Sequence, residues 1–208
     1  IFHLMGQHVN YKLRYRKEQA KFWASSYEEK RPELTTAQRK MLSHYDNATL
    51  YNDSIVAQIV KRFQKEDAVV IYVPDHGEEC YEEDRGFICR NHSANIDWPL
   101  AHYEFEIPFW IYCSPKYIRN HRDIYRQIRK AKDKRFMTDA LPHLLLYLAG
   151  IETPTYKEEY NILSPKYNEM RPRILKNSAD YDQLRDEHLE KVEKEKSKKE
   201  KSKKGDKK

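Results

Sequence analysis

The chain has 208 residues, of which 35% are charged and 39% hydrophobic, enough for one domain with a core. Its net charge of +6 lies entirely in residues 191–208, which hold ten lysines and four acidic residues, so the remainder is neutral. These values exclude a protein that binds nucleic acid through overall basicity. The sequence contains no run of about 18 apolar residues, so no membrane span is predicted in it.

The first third of the chain predicts a strand followed by a long helix. Phe2–Met5 is an apolar run that ends at Gly6, typical of a buried strand, and a chain that starts inside a strand is expected to be a fragment of a longer protein. Residues 45–65 place apolar side chains at helical spacing. They predict an amphipathic helix with Asp46 or Asn47 as its N-cap.

Two strands are predicted in the middle of the chain. Residues 68–73 form a continuous, mostly β-branched run that stops at Pro74, which is typical of a strand buried on both faces. Residues 107–113 form a second apolar run, with its proline near the start, where a strand tolerates it. Both runs favour a central sheet.

Helices and a charged tail are predicted in the second half. Residues 117–132 predict a basic helix, and Thr138 or Asp139 should cap an apolar helix that Gly150 ends. Alternating helices and buried strands predict an α/β fold with a mostly parallel sheet. The segment 191–208 has almost no apolar residue, so we expect a frayed helix or a disordered, solvated tail, the alternative being an arm that binds lipid or another polyanion.

The most chemically suggestive turn follows the strand predicted over 68–73. Asp75, His76 and Gly77 come directly after Pro74, at the carboxyl end of a strand, where open α/β sheets bind ligands. A carboxylate and an imidazole are ordinary zinc ligands at about 2.0–2.2 Å, and a turn at Gly77 would let both face one ion. The same residues also fit a polar turn whose Asp caps the following backbone. The spacing leaves both interpretations open.

Three further histidines lie in loops near predicted strands, namely His3, His8 and His92. Taken singly, each fits a packed or exposed side chain as well as a site residue, although loops of this kind often carry function. Tyr11 and Arg14 follow His8 and could hold a phosphate or simply pack on the surface.

The loop after the Asp75 turn is acidic and contains two cysteines. Glu78 begins an acidic stretch that predicts a solvated loop or a contact with a cationic amine. Cys80 and Cys89 flank this loop and could form a disulfide in an oxidising compartment. Cys113 lies in a predicted strand and is typical of a buried thiol. With no CxxC motif, the three cysteines cannot form a four-cysteine zinc site.

Taken together, these motifs follow the order found in one family. They are His3–His8 with Tyr11 and Arg14, Tyr45–Asp53, Asp75–Glu79, Asn91–Ser93, Glu106–Phe109 and Thr138–Ile151. Over about residues 1–165 the chain resembles the catalytic domain of bacterial phosphoethanolamine transferases, in the sulfatase-like branch of the alkaline phosphatase superfamily.

The resemblance implies the fold and the cellular setting. The fold would be the C-terminal part of an alkaline-phosphatase-like, doubly wound, mostly parallel sheet between helices. Residues 1–165 would belong to the catalytic domain, 166–190 to a C-terminal extension and 191–208 to the lysine-rich tail. Membrane helices N-terminal to this sequence would anchor the protein in the bacterial inner membrane, with this domain in the periplasm.

The resemblance also implies a reaction. One or two zinc ions would be held by Asp75 and His76 with an acidic residue upstream of this sequence, where the nucleophilic Thr also lies. His8 and His92 would hold the phosphoryl group or a second zinc, with His102 as the alternative to His92. Phosphoethanolamine would pass from phosphatidylethanolamine through a phospho-Thr to lipid A or the lipopolysaccharide core.

The remaining assignments concern the substrate and the competing functions. His3, Tyr11, Arg14 and Glu78 are assigned to substrate binding, and no nucleic-acid partner is expected. By itself the fragment should be inactive, since its nucleophile lies upstream. A sulfatase or a phosphoglycerol transferase of the same superfamily is the first alternative. A non-catalytic module that binds a metal or a lipid headgroup is the second.

Overall fold

The computed structural model describes residues 1–82, 85–86, 88–91 and 95–205, with side chains as far as Lys198. The chain divides into two compact units. The first unit comprises residues 1–70, 80–89 and 112–120, and the second comprises residues 71–79, 90–111 and 121–208. The predicted division at residues 165 and 190 stays a prediction. Helices and strands alternate along the chain, as expected for the α/β class.

Both strands predicted in the middle of the chain are present. β1 (Val69–Tyr72) pairs with β4 (Trp110–Cys113), and the ring of Tyr72 stacks on that of Trp110 at a centroid distance of 5.2 Å. The prediction that β1 is buried on both faces is wrong, because all four of its residues are partly exposed. In the described part of the chain, β4 is the one strand that pairs with β1.

Two shorter strand pairs accompany this one. β2 (Glu79–Cys80) pairs with β3 (Ile88–Cys89), and β5 (Ile174–Leu175) runs antiparallel to β6 (Ala179–Asp180). The first strand of the first pair begins at Glu79, two residues after Gly77.

Helix α1 spans Thr36–Phe63 and begins well before the predicted N-cap. Its first turn carries a capping box, in which Thr35 Oγ1 accepts from the Gln38 N–H and Gln38 Oε1 accepts from the Thr35 N–H. Asp46 and Asn47 are therefore interior helix residues, and the predicted cap is wrong. Asn47 is buried, and its Oδ1 accepts from the backbone N–H groups of residues 21 and 22, at 2.7 and 3.0 Å.

The core of the first unit lies beside α1. Its buried members are Tyr27, Leu34, Leu42, Cys80 and Tyr81. The strand predicted over residues 2–5 is wrong: these residues are irregular and exposed, and Phe2 is 60% exposed although its ring meets that of Phe63 edge to face. No strand in the described ranges pairs with this run, so it has no ladder of hydrogen bonds to hold it extended.

The helix predicted over 117–132 is two helices. α3 (Pro115–Asn120) belongs to the first unit and α4 (Arg122–Ala131) to the second. They are separated at His121, whose backbone (φ −124°, ψ 50°) is not helical. In the first unit, Ser114 Oγ accepts from the Tyr117 N–H at 3.0 Å and so starts α3.

The second unit is built on helices. A short helix α2 (Trp98–Leu100) runs into a π-helical turn, Ala101–Phe105. α5 (Leu141–Leu148) follows a 3₁₀ turn over Thr138–Ala140 and packs through Leu144 on the core of this unit.

The ends of α5 show one wrong prediction and one confirmed. Neither Thr138 nor Asp139 caps the helix; the Asp139 carboxylate instead accepts two hydrogen bonds from Arg171, at 2.5 and 2.6 Å. Gly150 ends the helix as predicted, with φ +64° and paired hydrogen bonds from the N–H groups of residues 150 and 151 to the carbonyls of residues 147 and 146.

The last helix, α6, spans Tyr181–Gly205, so of the two states expected for the tail, a frayed helix or disorder, the structure shows a helix as far as residue 205. Lysine and glutamate are good helix formers, and the Glu190–Lys194 ion pair at 3.2 Å has the i,i+4 spacing that supports a helix. Near its start α6 is docked by Arg135 and Arg173, which both pair with the carboxylate of Asp182, while Arg185 of the same helix pairs with it at i,i+3 spacing. None of the helices in the described ranges is both long and apolar enough to cross a bilayer.

Candidate functional site

The candidate site is centred on the turn that follows β1. The Asp75 side chain is 89% exposed, that of His76 is 20% exposed, and His76 Nε2 lies 3.7 Å from Asp75 Oδ2. The second carboxylate oxygen, Asp75 Oδ1, accepts from the backbone N–H of His76 at 3.2 Å. The carboxylate and the imidazole therefore face each other at an accessible edge of the second unit.

A hydrogen bond within the turn fixes which ring nitrogen of His76 carries the proton and which one faces Asp75. His76 Nδ1 lies 2.7 Å from the carbonyl oxygen of Gly77. Because a carbonyl only accepts, Nδ1 carries the proton of the neutral ring, and Nε2 keeps its lone pair directed toward the Asp75 side. Histidines that ligate metals are typically oriented by this type of bond.

The pair fits two ligands of one zinc ion. Two atoms at about 2.0–2.2 Å from a tetrahedral ion lie roughly 3.3–3.6 Å apart, close to the 3.7 Å between Nε2 and Oδ2. Within the ranges that the structure describes, no group of three or more His, Cys, Asp or Glu side chains gathers around a common point. The turn thus offers two atoms at a spacing that fits a shared zinc ion.

The turn rests tightly on the π-helical segment of the second unit. The Gly77 N–H donates to the carbonyl of Glu104 at 2.8 Å. A Cβ on Gly77 would lie 2.3 Å from the Tyr103 carbonyl oxygen and 3.2 Å from that of Glu106. Glycine is required here by this close approach of two backbones, and it places His76 at a defined distance from the π-helix.

The sequence did not single out the buried acid in this support. Glu104 is 1% exposed, and its Oε1 accepts from the backbone N–H of Asn91 at 2.5 Å. The carboxylate thereby joins the π-helix to the residue that precedes His92 in the sequence. A charged residue between two aromatic ones, Tyr103 and Phe105, gave no periodic signal that could have predicted its burial.

His102 lies in the π-helical segment and Glu106 directly follows it, and their side chains contact each other. The Tyr181 hydroxyl donates to Glu106 Oε1, and burial together with this bond raises the pKa of Tyr181 to about 12. His102 Nδ1 lies 2.9 Å from the same oxygen, and the His102 ring stacks on Trp98 at 5.5 Å. His102, the alternative to His92, is thus held in packing contacts of the second unit.

Glu78 and the cysteines lie just beyond the turn. Glu78 is half-buried and Glu79 fully buried. All three cysteines are free thiols, so the disulfide considered for Cys80 and Cys89 is not formed. Ile88 packs against the cluster that contains Cys80.

The predicted residues near the start of the chain lie in the first unit. His3 and His8 are exposed, whereas Tyr11 is 3% exposed, with its ring edge-on to that of Tyr45 at 5.3 Å. Arg14 donates to two carbonyls, to His8 O at 3.0 Å and to Val9 O at 3.2 Å. Arg14 thus shapes the loop that presents His8.

A histidine that the sequence did not single out lies on α1 in the same unit. His44 Nδ1 is 2.8 Å from the Tyr15 hydroxyl. Burial, together with the nearby charges of Lys40 and Lys12, holds the pKa of His44 below its ordinary value. The ring is therefore neutral at physiological pH and can accept from Tyr15.

The assignments of the predicted site residues to catalysis, metal and substrate stay predictions. His92 lies outside the described residues. His8 belongs to the first unit, whereas Asp75 and His76 belong to the second, so the predicted convergence of the four side chains on one metal is not tested by the fold.

The sequence is similar to a known protein family and to named members of it. A sequence model of the sulfatase family matches residues 1–151. The phosphoethanolamine transferase EptC of Escherichia coli is 33% identical over 192 residues, covering 88% of this chain and 32% of that protein. The Kdo(2)-lipid A phosphoethanolamine 7''-transferase of Escherichia coli is 30% identical, covering 65% of this chain and 23% of that protein. The chain spans about a third of the length of the Escherichia coli EptC proteins that it matches.

Solved structures are similar as well. The C-terminal periplasmic domain of EcEptC from Escherichia coli, in complex with zinc, matches with a TM-score of 0.69 and 29% identity, covering 88% of this chain and 51% of that one. The corresponding EptC domain of Campylobacter jejuni, at 23% identity and a TM-score of 0.58, shares the fold. The predicted α/β fold class and the resemblance to phosphoethanolamine transferases are confirmed.

Proposed function

The chain belongs to the sulfatase family, and on that premise we propose that it is the C-terminal part of the catalytic domain of a phosphoethanolamine transferase. The observation that carries the proposal is the Asp75–His76 pair. Its two facing ligand atoms are 3.7 Å apart, and the other ring nitrogen is engaged by Gly77. A polar turn that only capped the backbone would not need an imidazole held in this tautomer.

In the proposed reaction, Asp75 and His76 hold zinc, one or two ions in all. Bound zinc would offset phosphate charge and lower the pKa of a coordinated hydroxyl. His8 and His92 would hold the non-bridging oxygens of the phosphoryl group or protonate the leaving alkoxide. The phosphoethanolamine group would be carried on a Thr upstream of this chain, and phosphoryl transfer of this type depends mainly on charge stabilisation and in-line positioning.

The proposed donor is phosphatidylethanolamine, and the proposed acceptor is lipid A or the lipopolysaccharide core. The acceptor is supported by a relative whose name specifies Kdo(2)-lipid A. Glu78 supplies a carboxylate suited to the ethanolamine ammonium, and His3 and Arg14 would contact the substrate. Tyr11 is 3% exposed and would support them only through its packing on Tyr45. The proposed location is the periplasm, with the complete protein anchored in the inner membrane; likeness to periplasmic EptC domains supports the periplasmic part of this proposal.

The test compares His76→Ala with His143→Ala in the complete protein. His143 is a half-buried histidine of the second unit outside the proposed site, where its Nδ1 accepts from the Lys157 N–H at 3.1 Å. Loss of a metal ligand should lower both zinc content and transfer by orders of magnitude, whereas His143→Ala should keep both. Transfer is read from the mass of lipid A, and zinc from elemental analysis. Wild-type zinc content and transfer in His76→Ala would contradict the proposed mechanism.

A further inference from the structure

The support of the Asp75–Gly77 turn contains a buried carboxylate that the proposed chemistry does not use. Glu104 lies in the π-helical turn Ala101–Phe105 and is 1% exposed. Its Oε1 accepts from the Asn91 N–H at 2.5 Å, while Oε2 is buried and has no hydrogen-bond partner among the residues that the structure describes. Burying a carboxylate in this way carries a large desolvation penalty, so its interactions at this position must compensate for that cost.

The same residue contacts the candidate site through its backbone. The Glu104 carbonyl accepts from the Gly77 N–H at 2.8 Å, and the Gly77 carbonyl in turn engages His76 Nδ1 at 2.7 Å. Glu104 is thus two hydrogen bonds away from the imidazole that faces Asp75. On its other side, its carboxylate holds the backbone of Asn91, which precedes His92 in the sequence.

The local backbone explains how one residue makes both connections. In a π-helical turn the backbone is wider than in an α-helix, and such turns are frequent at functional sites. Here the Tyr103 and Glu106 carbonyls approach Gly77 closely while the Glu104 carbonyl points at its N–H. Anchoring the Glu104 side chain to Asn91 fixes the rotation of this turn and therefore the position of the carbonyl that holds Gly77.

We propose that Glu104 is a positioning residue that holds the Asp75–Gly77 turn in its ligand geometry by tying the π-helical turn to Asn91. The part of this inference that concerns zinc rests on the proposed function. The part that concerns the turn does not, because the hydrogen bonds from Asn91 to Glu104 and from Gly77 to Glu104 form without any metal.

The experiment uses Glu104→Ala, Glu104→Asp and Glu104→Gln in the complete protein, with Asn161→Ala as the matched control. Asn161 is also a fully buried polar residue of the second unit, bonded to the Tyr156 hydroxyl and to the Leu163 N–H. Two quantities are measured for each variant: amide hydrogen exchange of the peptide containing Gly77, without metal, and zinc affinity by competition with a chelator.

We expect Glu104→Ala to speed exchange at Gly77 by about tenfold or more, since the turn opens locally. Zinc affinity should fall by about 10- to 100-fold, the usual effect of removing a group that orients a ligand. Glu104→Asp, whose carboxylate is one methylene further from Asn91, should show both effects more weakly. Glu104→Gln keeps an acceptor for the Asn91 N–H and should restore both values, while Asn161→Ala should change neither.

The outcomes separate this inference from the proposed function. Unchanged exchange at Gly77 in Glu104→Ala, or in Glu104→Asp if the alanine variant does not fold, would overturn the inference. So would an equal effect of Asn161→Ala on the Gly77 peptide. If the wild type itself bound no zinc, the proposed function would be overturned, and the exchange data alone would decide the role of Glu104.

Discussion

Replacing Gly77 by alanine should disturb the candidate site by a purely steric route. The substitution adds one Cβ, which would lie 2.3 Å from the Tyr103 carbonyl oxygen and 3.2 Å from the Glu106 carbonyl oxygen. Both neighbours are backbone atoms, so no side-chain rotation can relieve the overlap. The turn or the π-helix must move.

The size of the effect follows from these distances. A carbon and an oxygen in favourable contact lie about 3.3–3.6 Å apart, so the Gly77→Ala turn must shift by about 1 Å. Overpacking of this kind costs roughly 1–3 kcal/mol, which lowers Tm by roughly 2–12 °C in a domain of this size. A 1 Å displacement of a group that acts on the substrate can reduce activity about 100-fold.

The assay combines thermal unfolding with zinc affinity and phosphoethanolamine transfer, and Gly150→Ala is the control. Gly150 has φ +64°, and a Cβ added there would meet no atom within 4 Å, so alanine costs about 1–2 kcal/mol through its left-handed backbone alone. We expect both variants to lose stability and Gly77→Ala alone to lose zinc affinity and transfer. Wild-type values of all three quantities in Gly77→Ala would refute the close approach on which the reasoning depends.

Two further predictions concern α6. Deleting residues 191–208 should leave Tm within a few degrees of the wild type, because the described side chains of this segment are exposed apart from a half-buried Val192; a larger drop would show that the tail packs. Asp182→Asn should cost about 1–3 kcal/mol at pH 7 in urea unfolding, since it removes charged hydrogen bonds. The Arg173 hydrogen bond holds the pKa of Asp182 below its ordinary value, so this stabilisation is complete above about pH 4 and is lost as the pH falls through the lower folded pKa. The difference between variant and wild type should therefore vanish in acid, and a constant difference would contradict it.

Local sequence signals predicted those elements whose cause is local. The apolar run around Val69–Tyr72 needs only its own side chains to favour a strand. Gly150 ends α5 because it adopts the left-handed conformation that a helix C-terminus requires. In both cases the residues that carry the signal are the ones that form the structure.

The start of α1 shows where a local signal misleads. Asp46 and Asn47 are good N-caps by residue type, but tertiary partners use their side chains inside the helix. Tyr27 donates to Asp46, and Asn47 accepts from the backbone of residues 21 and 22. Those partners are more than fifteen residues away, so the composition of the helix could not distinguish a cap from a buried polar anchor.

The candidate site also has one part that local sequence predicts and another that depends on distant contacts. Asp75, His76 and Gly77 are adjacent in sequence, so their residue types alone predicted a metal-binding turn or a polar one. What favours the first interpretation is the orientation of the imidazole, and that depends on Gly77 being held by the Glu104 carbonyl and Glu104 by Asn91. These contacts join segments that no periodicity links. The proposed ligand atoms are therefore encoded locally, whereas their geometry also depends on residues outside the motif, and substitutions at Gly77 and Glu104 test that geometry without removing either atom.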